Sequence, residues 1–463
     1  MKTDNTLNYK KGEMITVDIT DFGENGEGIG KTDAFTWFIK DTVIGDKVKA
    51  KVMKTKKSYG YARLESIVKE SKDRIEAKCP VARSCGGCTL QSLDYKAELR
   101  LKQNKVENHL KRIGGFDLSS VEIEEIIGME DPIRYRNKSQ FPFGRKNGKN
   151  ITGYFAGRTH SIVEFDDCII GIKENKTVLN TVLDFMEKYS VEAYNEEDGS
   201  GIVRHVLIRK GFATGELMVC IVINTNNMPH SDKLVESLCS ALGNDLKSVS
   251  ININKKNTNV ILGDTTVTLY GNGYIEDYIG DVKFRISPQS FYQVNPVQTK
   301  KLYGKALEYA NLTGNETVWD MYCGIGTISL FLAKSAKFVY GVEIVDAAIQ
   351  NARENAKLNN IENVKFFVGK AEEIITGEYE NGNIRDIDVI VVDPPRKGLD
   401  KLAIDTMLKL LPKRIVYVSC DASTLARDLK LLCEKEYELK KLTVVDQFSR
   451  SYHTESVVVM ERK

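Results

Sequence analysis

The sequence predicts a multidomain chain: a small N-terminal β-barrel of the OB type, a central α+β domain, and a C-terminal α/β domain with a Rossmann-like parallel sheet. Three observations carry that expectation. Residues 8–67 alternate apolar and polar positions in short runs broken by glycines at turn spacing. Residues 175–290 mix strand-type and helix-type segments, such as Met218-Val219-Cys220-Ile221-Val222-Ile223. From Thr317 onward strand and helix patterns alternate, as they do in doubly wound sheets. At 463 residues the chain is too long for one hydrophobic core. The boundaries read from these patterns are 8–67, 68–286 and 287–463.

Hydrophobic content of 42% and charged content of 28% are those of a globular protein. A run of about 18 apolar residues is missing, and the start, Met1-Lys2-Thr3-Asp4-Asn5, is polar. Membrane-spanning and secreted classes are therefore set aside, and a cytoplasmic monomer is expected. The net charge of +2 is uneven: residues 1–160 carry 30 Lys+Arg against 22 Asp+Glu, which leaves the remainder acidic. Nine cysteines in such a chain read as thiols or metal ligands rather than disulfides.

Within the barrel segment, Met14-Ile15-Thr16-Val17-Asp18-Ile19 and Lys47-Val48-Lys49-Ala50-Lys51-Val52 alternate strictly. Lys47, Lys49, Lys51, Lys54, Lys56 and Lys57 form a basic stripe with no acid between them, and Trp37, Phe38, Tyr59 and Tyr61 offer faces for stacking bases. Two readings stay open, a solvated lysine edge and a grip on RNA. The segment resembles a TRAM domain, an RNA-binding barrel of the OB type.

Cys79, Cys85 and Cys88 follow, spaced by five and then two residues, with Gly86 and Gly87 between the last two and Cys168 far downstream. Four thiolates suit iron–sulfur or zinc. Zinc pairs are usually spaced by two to four residues, so the five-residue gap favours a 4Fe–4S cluster. A radical enzyme would space its cysteines by three and then two. Residues 93–113 read as a charged amphipathic helix. Residues 132–160 interleave Arg134, Arg136, Lys138, Arg145, Lys146, Lys149 and Arg158 with Tyr135, Phe141, Phe143, Tyr154 and Phe155, and hold no acid. That pattern suits an RNA backbone and unstacked bases, or a plain solvated sheet face.

In the C-terminal part, Val318-Trp319-Asp320-Met321-Tyr322-Cys323-Gly324-Ile325-Gly326-Thr327 is a strand, a glycine-rich turn and a helix start. The next strand, Phe338–Glu343, ends in an acid able to bind both ribose hydroxyls. The missing third glycine argues against a dinucleotide and for S-adenosylmethionine (SAM), which has no pyrophosphate to cradle. A further strand, Ile387–Val392, ends in Asp393-Pro394-Pro395-Arg396. Amino-methyltransferases often place an aromatic after Asp-Pro-Pro to stack on the base, so Arg396 disfavours methylation of an exocyclic nitrogen. The strand Ile415–Ser419 ends at Cys420, ahead of a helix that Asp421, Ser423 or Thr424 can cap. A thiol there reads either as a buried small hydrophobe or as a nucleophile activated by the helix N-terminus. His453-Thr454-Glu455 then places a carboxylate at the mouth of the last strand.

Together these motifs resemble the RNA uracil-5-methyltransferases, most closely the 23S rRNA branch that has a TRAM barrel and a 4Fe–4S cluster. Asp-Met-Tyr-Cys-Gly-Ile-Gly-Thr, Asp-Pro-Pro-Arg, Val-Ser-Cys-Asp and His-Thr-Glu-Ser stand in that family's order and spacing. The resemblance implies a class I SAM-dependent methyltransferase domain at 287–463 and RNA as partner, 23S rRNA ahead of tRNA, because the tRNA-specific bacterial branch lacks barrel and cluster. It further implies Cys420 as nucleophile and Glu455 as base. Gln293, Tyr322, Glu343 and Asp393 would bind SAM, and Cys79, Cys85, Cys88 and Cys168 would ligate the cluster. A DNA cytosine-5-methyltransferase uses similar thiol chemistry but carries its cysteine after proline at the strand that here holds Asp-Pro-Pro. A non-catalytic RNA-binding module would have no use for Cys420 and Glu455 at strand mouths.

Overall fold

The computed structural model describes residues 9–382, 384 and 386–463. Asn8, where the barrel is expected to start, and the polar stretch Met1 to Asn5 lie outside the described residues. Two compact units emerge, and they do not follow chain order. One comprises Met1–Leu101, Tyr154–Val163 and Phe448–Tyr452; the other comprises Lys102–Gly153, Glu164–Gln447 and His453–Lys463. Among the described residues no helix is long and apolar enough to cross a membrane.

In the first unit, β1 (Met14–Phe22), β2 (Gly28–Thr32), β3 (Phe35–Ile39), β4 (Lys47–Thr55) and β5 (Tyr59–Lys69) close into a barrel of order β1-β2-β3-β5-β4, with β4 returning to β1. Period-2 alternation drives the closure: Val48, Ala50 and Val52 point into the core while Lys49 and Lys51 point out. Trp37 is fully buried at the centre, so it offers no stacking face and that expectation is corrected. Gly60 has to be glycine because a Cβ there would stand 2.4 Å from the Trp37 ring.

Helix α1 (Tyr95–His109) matches the expected amphipathic segment and ends in a π-turn, Leu110–Gly114, stopped by Gly115 at φ +74°. After β6 (Glu122–Ile123), β7 (Lys138–Lys146) and β8 (Lys149–Thr152) comes the hairpin of β9 (Tyr154–Phe155) and β10 (Ile162–Val163), which packs within the first unit. There the Gly86 amide donates to the Phe155 carbonyl at 3.1 Å, and Arg158 reaches the buried Glu27 carboxylate at 3.1 Å. The segment 448–452 joins through the Arg450 carbonyl, which accepts from the Thr89 and Leu90 amides.

The second unit holds two sheets. The first has six strands in the order β14-β13-β12-β11-β7-β8, with β11 (Val203–Lys210), β12 (Leu217–Ile223), β13 (Leu246–Ile253) and β14 (Thr265–Gly271). Helices α2 (Glu174–Lys188) and α3 (Ser231–Leu242) connect and pack with it. Tyr135, Phe141 and Phe143 are buried, and Arg134 is bound to Asp167 and to the Cys168 and Gly171 carbonyls. Arg145 pairs with Glu192 and Lys146 with Glu164. Much of the basic and aromatic run at 132–160 therefore serves packing and ion pairing rather than an open RNA face.

A small hairpin, β15 (Ile275–Ile279) with β16 (Val282–Ile286), and α4 (Pro296–Ala310) lead into the second sheet. That sheet is built from β17 (Thr317–Asp320), β18 (Phe338–Glu343), β19 (Val364–Val368), β20 (Val389–Val392), β21 (Arg414–Ser419), β22 (Tyr437–Val445) and β23 (Glu455–Arg462). Helices α5 (Thr327–Ala333), α6 (Asp346–Leu358), α7 (Ala371–Glu380), α8 (Lys401–Leu410) and α9 (Ala422–Leu432) alternate with the first five strands. The order is β19-β18-β17-β20-β21-β23-β22-β6. The strands from β19 to β21 are parallel, and β23 enters antiparallel between β21 and β22. Every residue of β20 is fully buried, as befits a β-branched run covered on both faces.

Candidate active site

Parallel strands put their carboxyl ends at one edge, and in such a sheet ligands bind where the strand order reverses, here between β17 and β20. Asp320 ends β17, Glu343 ends β18, Asp393 follows β20 and Cys420 follows β21. Because β23 runs the other way, its first residue arrives at that same edge. Ser456 pairs with Ser419, which sets Glu455 beside Cys420. The sequence-expected nucleophile and base are thus neighbours.

Burial dominates the electrostatics of this edge. The Cys420 thiol is pushed up to about 12, first by desolvation and then by the charges of Glu455 and Asp393, with Arg396 opposing. Asp421 does cap α9, accepting from the Ser423 and Thr424 amides, both at 3.0 Å. Its carboxylate also faces the thiol and raises it further. The expectation that the helix start lowers the thiol pKa is therefore corrected: burial first, and the facing carboxylates second, raise it. Glu455 is held well above the ordinary carboxylate range by burial and by Asp393, again with Arg396 opposing. Asp393 is raised to about 7 by burial and the facing Asp320, and Asp320 to about 6 by burial despite a 2.6 Å hydrogen bond from the Ser329 hydroxyl. His453 is depressed by burial and by the cations Arg396, Lys105 and Lys102.

The loop before α4 delivers Gln293. Its carbonyl accepts from the Asn137 side chain at 2.9 Å, and the Val294 carbonyl accepts from the Asn137 amide at 2.8 Å. The Gln293 side chain bonds the Tyr303 hydroxyl, which faces Asp393. Gln293 and Asp393 are thereby brought together through Tyr303, a residue the sequence reading passed over because nothing marks one tyrosine on a helix. Asp320 was also passed over, although its place as the last strand residue before the glycine turn signals it. Tyr322 is half-buried and faces Asp400, Glu372 and Asp428.

The glycine turn is open where a cofactor needs space. Gly324, at φ +54°, has nothing within 4 Å of where a Cβ would lie, whereas Gly326, at φ +83°, packs against Ala352 and Phe366. The Glu343 carboxylate accepts from the Val345 amide at 3.0 Å, and beside it Ile344 and Val345 expose apolar surface. Acids for a cation and ribose, a bare glycine turn and an exposed apolar pair form a donor set that fits SAM.

The four cysteines read as cluster ligands are treated differently. Cys79, Cys85 and Cys88 lie in the first unit and Cys168 in the second, and all four are half-buried. Among the described residues no group of three or more His, Cys, Asp or Glu side chains is gathered closely enough to hold a metal ion.

A family model described as tRNA (uracil-5-)-methyltransferase matches residues 214–463, and one described as TRAM domain matches residues 9–64. An uncharacterized RNA methyltransferase from Clostridium acetobutylicum is 49% identical over 453 residues, covering 98% of each chain. A counterpart from Halalkalibacterium halodurans is 48% identical with the same coverage. Among solved structures, Pyrococcus abyssi tRNA (uracil-54, C5)-methyltransferase in complex with S-adenosyl-L-homocysteine superposes with a TM-score of 0.77 at 27% identity, covering 96% of this chain and 100% of that one.

A thiol raised to about 12 makes a measurable statement. At pH 8, iodoacetamide should alkylate Cys420 on the order of a thousand-fold more slowly than an exposed cysteine, as read by peptide mass spectrometry. Glu455→Gln removes a facing charge and should quicken the reaction. Alkylation of the wild type at the rate of a free thiol would contradict the electrostatic description.

Proposed function

Because the chain belongs to the tRNA (uracil-5-)-methyltransferase family and carries a TRAM domain, we propose that it methylates carbon 5 of specific uridines in 23S rRNA, with Cys420 as nucleophile and Glu455 as base. The observation that carries this reading is the β21–β23 register, which sets a thiol and a carboxylate side by side at the strand mouths.

Carbon 5 of uracil is too weakly nucleophilic to attack an alkyl donor unaided. Cys420, once deprotonated, adds its sulfur to carbon 6, and the electrons of the 5,6 double bond move to the carbon-4 carbonyl as an enolate. SAM, when bound, supplies an electrophilic methyl group on a positively charged sulfur. The enolate directs its electrons to carbon 5, which would take the methyl group while its bond to the donor sulfur breaks and that sulfur leaves as a neutral thioether. Glu455 then takes the carbon-5 proton, the double bond returns, and the Cys420 sulfur leaves carbon 6 as thiolate. Burial suits Glu455 to this task, because a carboxylate held above its ordinary range is the stronger base. Arg396, the cation facing both groups, stabilises the thiolate that is added and expelled. Asp320, Glu343 and Asp393 offer the negative charge that a sulfonium and a ribose require, and Gln293, fixed by Asn137 and Tyr303, completes the cofactor contacts with Tyr322.

The barrel and the cysteine spacing support ribosomal RNA through the family resemblance. The Pyrococcus abyssi neighbour acts on tRNA and matches nearly the whole of this chain, which favours tRNA as the second reading. The 4Fe–4S cluster at Cys79, Cys85, Cys88 and Cys168 is likewise a proposal, resting on spacing and resemblance.

RNA carrying 5-fluorouridine should trap the wild type as a covalent adduct, since fluorine cannot leave as a proton. Cys420→Ala should form none and lose methyl transfer while binding SAM nearly as well. Glu455→Gln should transfer one methyl group and stall as a methylated protein–RNA adduct that survives denaturing gels. An active Cys420→Ala enzyme would end the nucleophile assignment.

Purified enzyme given labelled SAM with protein-free 23S rRNA and, separately, total tRNA should place 5-methyluridine in the ribosomal RNA. Label in tRNA alone would move the proposal to the second reading.

Protein purified without oxygen should be brown and hold about four irons per chain, with Cys85→Ser bleached. A colourless protein with one zinc per chain would refute the cluster.

A further inference from the structure

We propose that the outer face of the barrel carries an aromatic platform, Phe38, Tyr59 and Tyr61, on which unpaired bases of single-stranded RNA stack. The proposal rests on the reading of this chain as an RNA enzyme and adds to it the form of RNA that the barrel takes.

Two strands build the platform, β3 and β5. Tyr59 and Tyr61 stand two residues apart on β5 and so share a face, with the inward Gly60 between them. On β3, Phe38 is the register partner of Tyr61 and Thr36 of Tyr59. The ring centroids lie 5.6 Å apart for Phe38–Tyr61, 5.7 Å for Phe38–Tyr59 and 5.9 Å for Tyr59–Tyr61. All three rings are half-buried, and none joins the barrel's hydrophobic core around Trp37, Ile39 and Val48. The partner strand on the other side is basic: Lys54 pairs with Tyr61 and Lys51 with Arg63 on the same outer face. One row across the barrel thus reads Phe38, Tyr61, Lys54.

The chemistry of that row selects its ligand. Bases in a duplex are stacked on each other and show a protein only edges and phosphates, so a duplex has no use for exposed rings. An unpaired base has a free face, and aromatic rings beside lysines take its base and phosphate together. Cross-strand aromatic pairs also stabilise sheets. That role alone does not explain why the rings gather outside the core, against the basic strand.

The test uses the full chain and two fluorescein-labelled probes, a 12-nucleotide oligouridylate and a 12-base-pair RNA duplex, followed by anisotropy. Phe38→Ala and Tyr61→Ala should each weaken oligouridylate binding on the order of tenfold and leave the duplex nearly unchanged. Tyr61→Phe should retain affinity, and Tyr61→Leu, which keeps bulk without a ring, should lose it. Lys54→Ala should instead flatten the dependence of log K on log salt by about 0.7. Unfolding temperatures identify any variant that fails to fold, in which case the Leu and Phe pair decides. Oligouridylate binding unchanged in folded Phe38→Ala and Tyr61→Leu, or an equal loss for both probes, would overturn the platform. Failure of the 5-fluorouridine adduct would overturn the catalytic reading instead, because binding to oligouridylate needs neither Cys420 nor Glu455.

Discussion

The site depends on one piece of backbone pairing, the insertion of β23 antiparallel between β21 and β22. In a fully parallel sheet the last strand would present its end, not its beginning, at the mouth where Cys420 lies. Reversal brings Glu455 there, and the register fixes it: a slip of one residue would flip every side chain of β23 to the other face. Buried polar contacts hold the ends of this strand pair. Asp446, just past β22, pairs with Lys102 at 2.6 Å, both fully buried. Gln447 bonds Thr299 at 2.7 Å and the Asn295 carbonyl at 3.3 Å, while Asn295 caps α4 two residues after Gln293. The loop carrying Gln293 and the end of β22, the pairing partner of β23, are therefore tied by one buried network. Breaking a member would leave a buried charge or amide unpaired, which is costly.

Burying acids together at strand mouths costs stability, and the raised Asp320, Asp393 and Glu455 express that cost. A cation placed among them relieves it. SAM carries such a charge on its sulfur; its product after methyl loss is a neutral thioether. In the proposed reaction, acids that would attract the donor would hold the neutral product less firmly, so electrostatics would favour exchange after each turnover. The thiol gains as well, since a nearby positive sulfur favours thiolate over thiol.

Much of this arrangement is legible in the sequence, and the failures have physical causes. Strand ends followed by Asp, Glu and Cys are readable because parallel sheets collect function at one edge, and the Asp421 cap is readable from residue type. The alternation of Phe35, Trp37 and Ile39 against Thr36 and Phe38 already says which aromatic points inward, yet a count of aromatic residues does not. Tyr135, Phe141 and Phe143 look like an RNA face only while their neighbours are unknown, because burial of a strand depends on what packs over it. The raised thiol is invisible for a similar reason. A helix start is local, but Glu455 and Asp393 are 35 and 27 residues away and reach Cys420 only through the fold. Nor does any local pattern say that residues 154–163 pack with the barrel unit, since a short hairpin carries no mark of its partner.

Arg396 joins these threads. From sequence its place after Asp-Pro-Pro is informative by exclusion, since the position lacks the aromatic that stacks on a base methylated at nitrogen. The structure gives it a positive reason. Its charge faces Cys420, Glu455 and His453 together, and at the thiol and the carboxylate it opposes the rise caused by burial and by Asp393. An aromatic there would remove the cation that opposes burial at the carboxylate and the thiol. Nitrogen methylation needs no thiolate and tolerates an aromatic; carbon methylation by a thiolate calls for a positive charge at that mouth. On the proposed mechanism, the identity of a single residue after the two prolines would follow from which atom of the base is made nucleophilic.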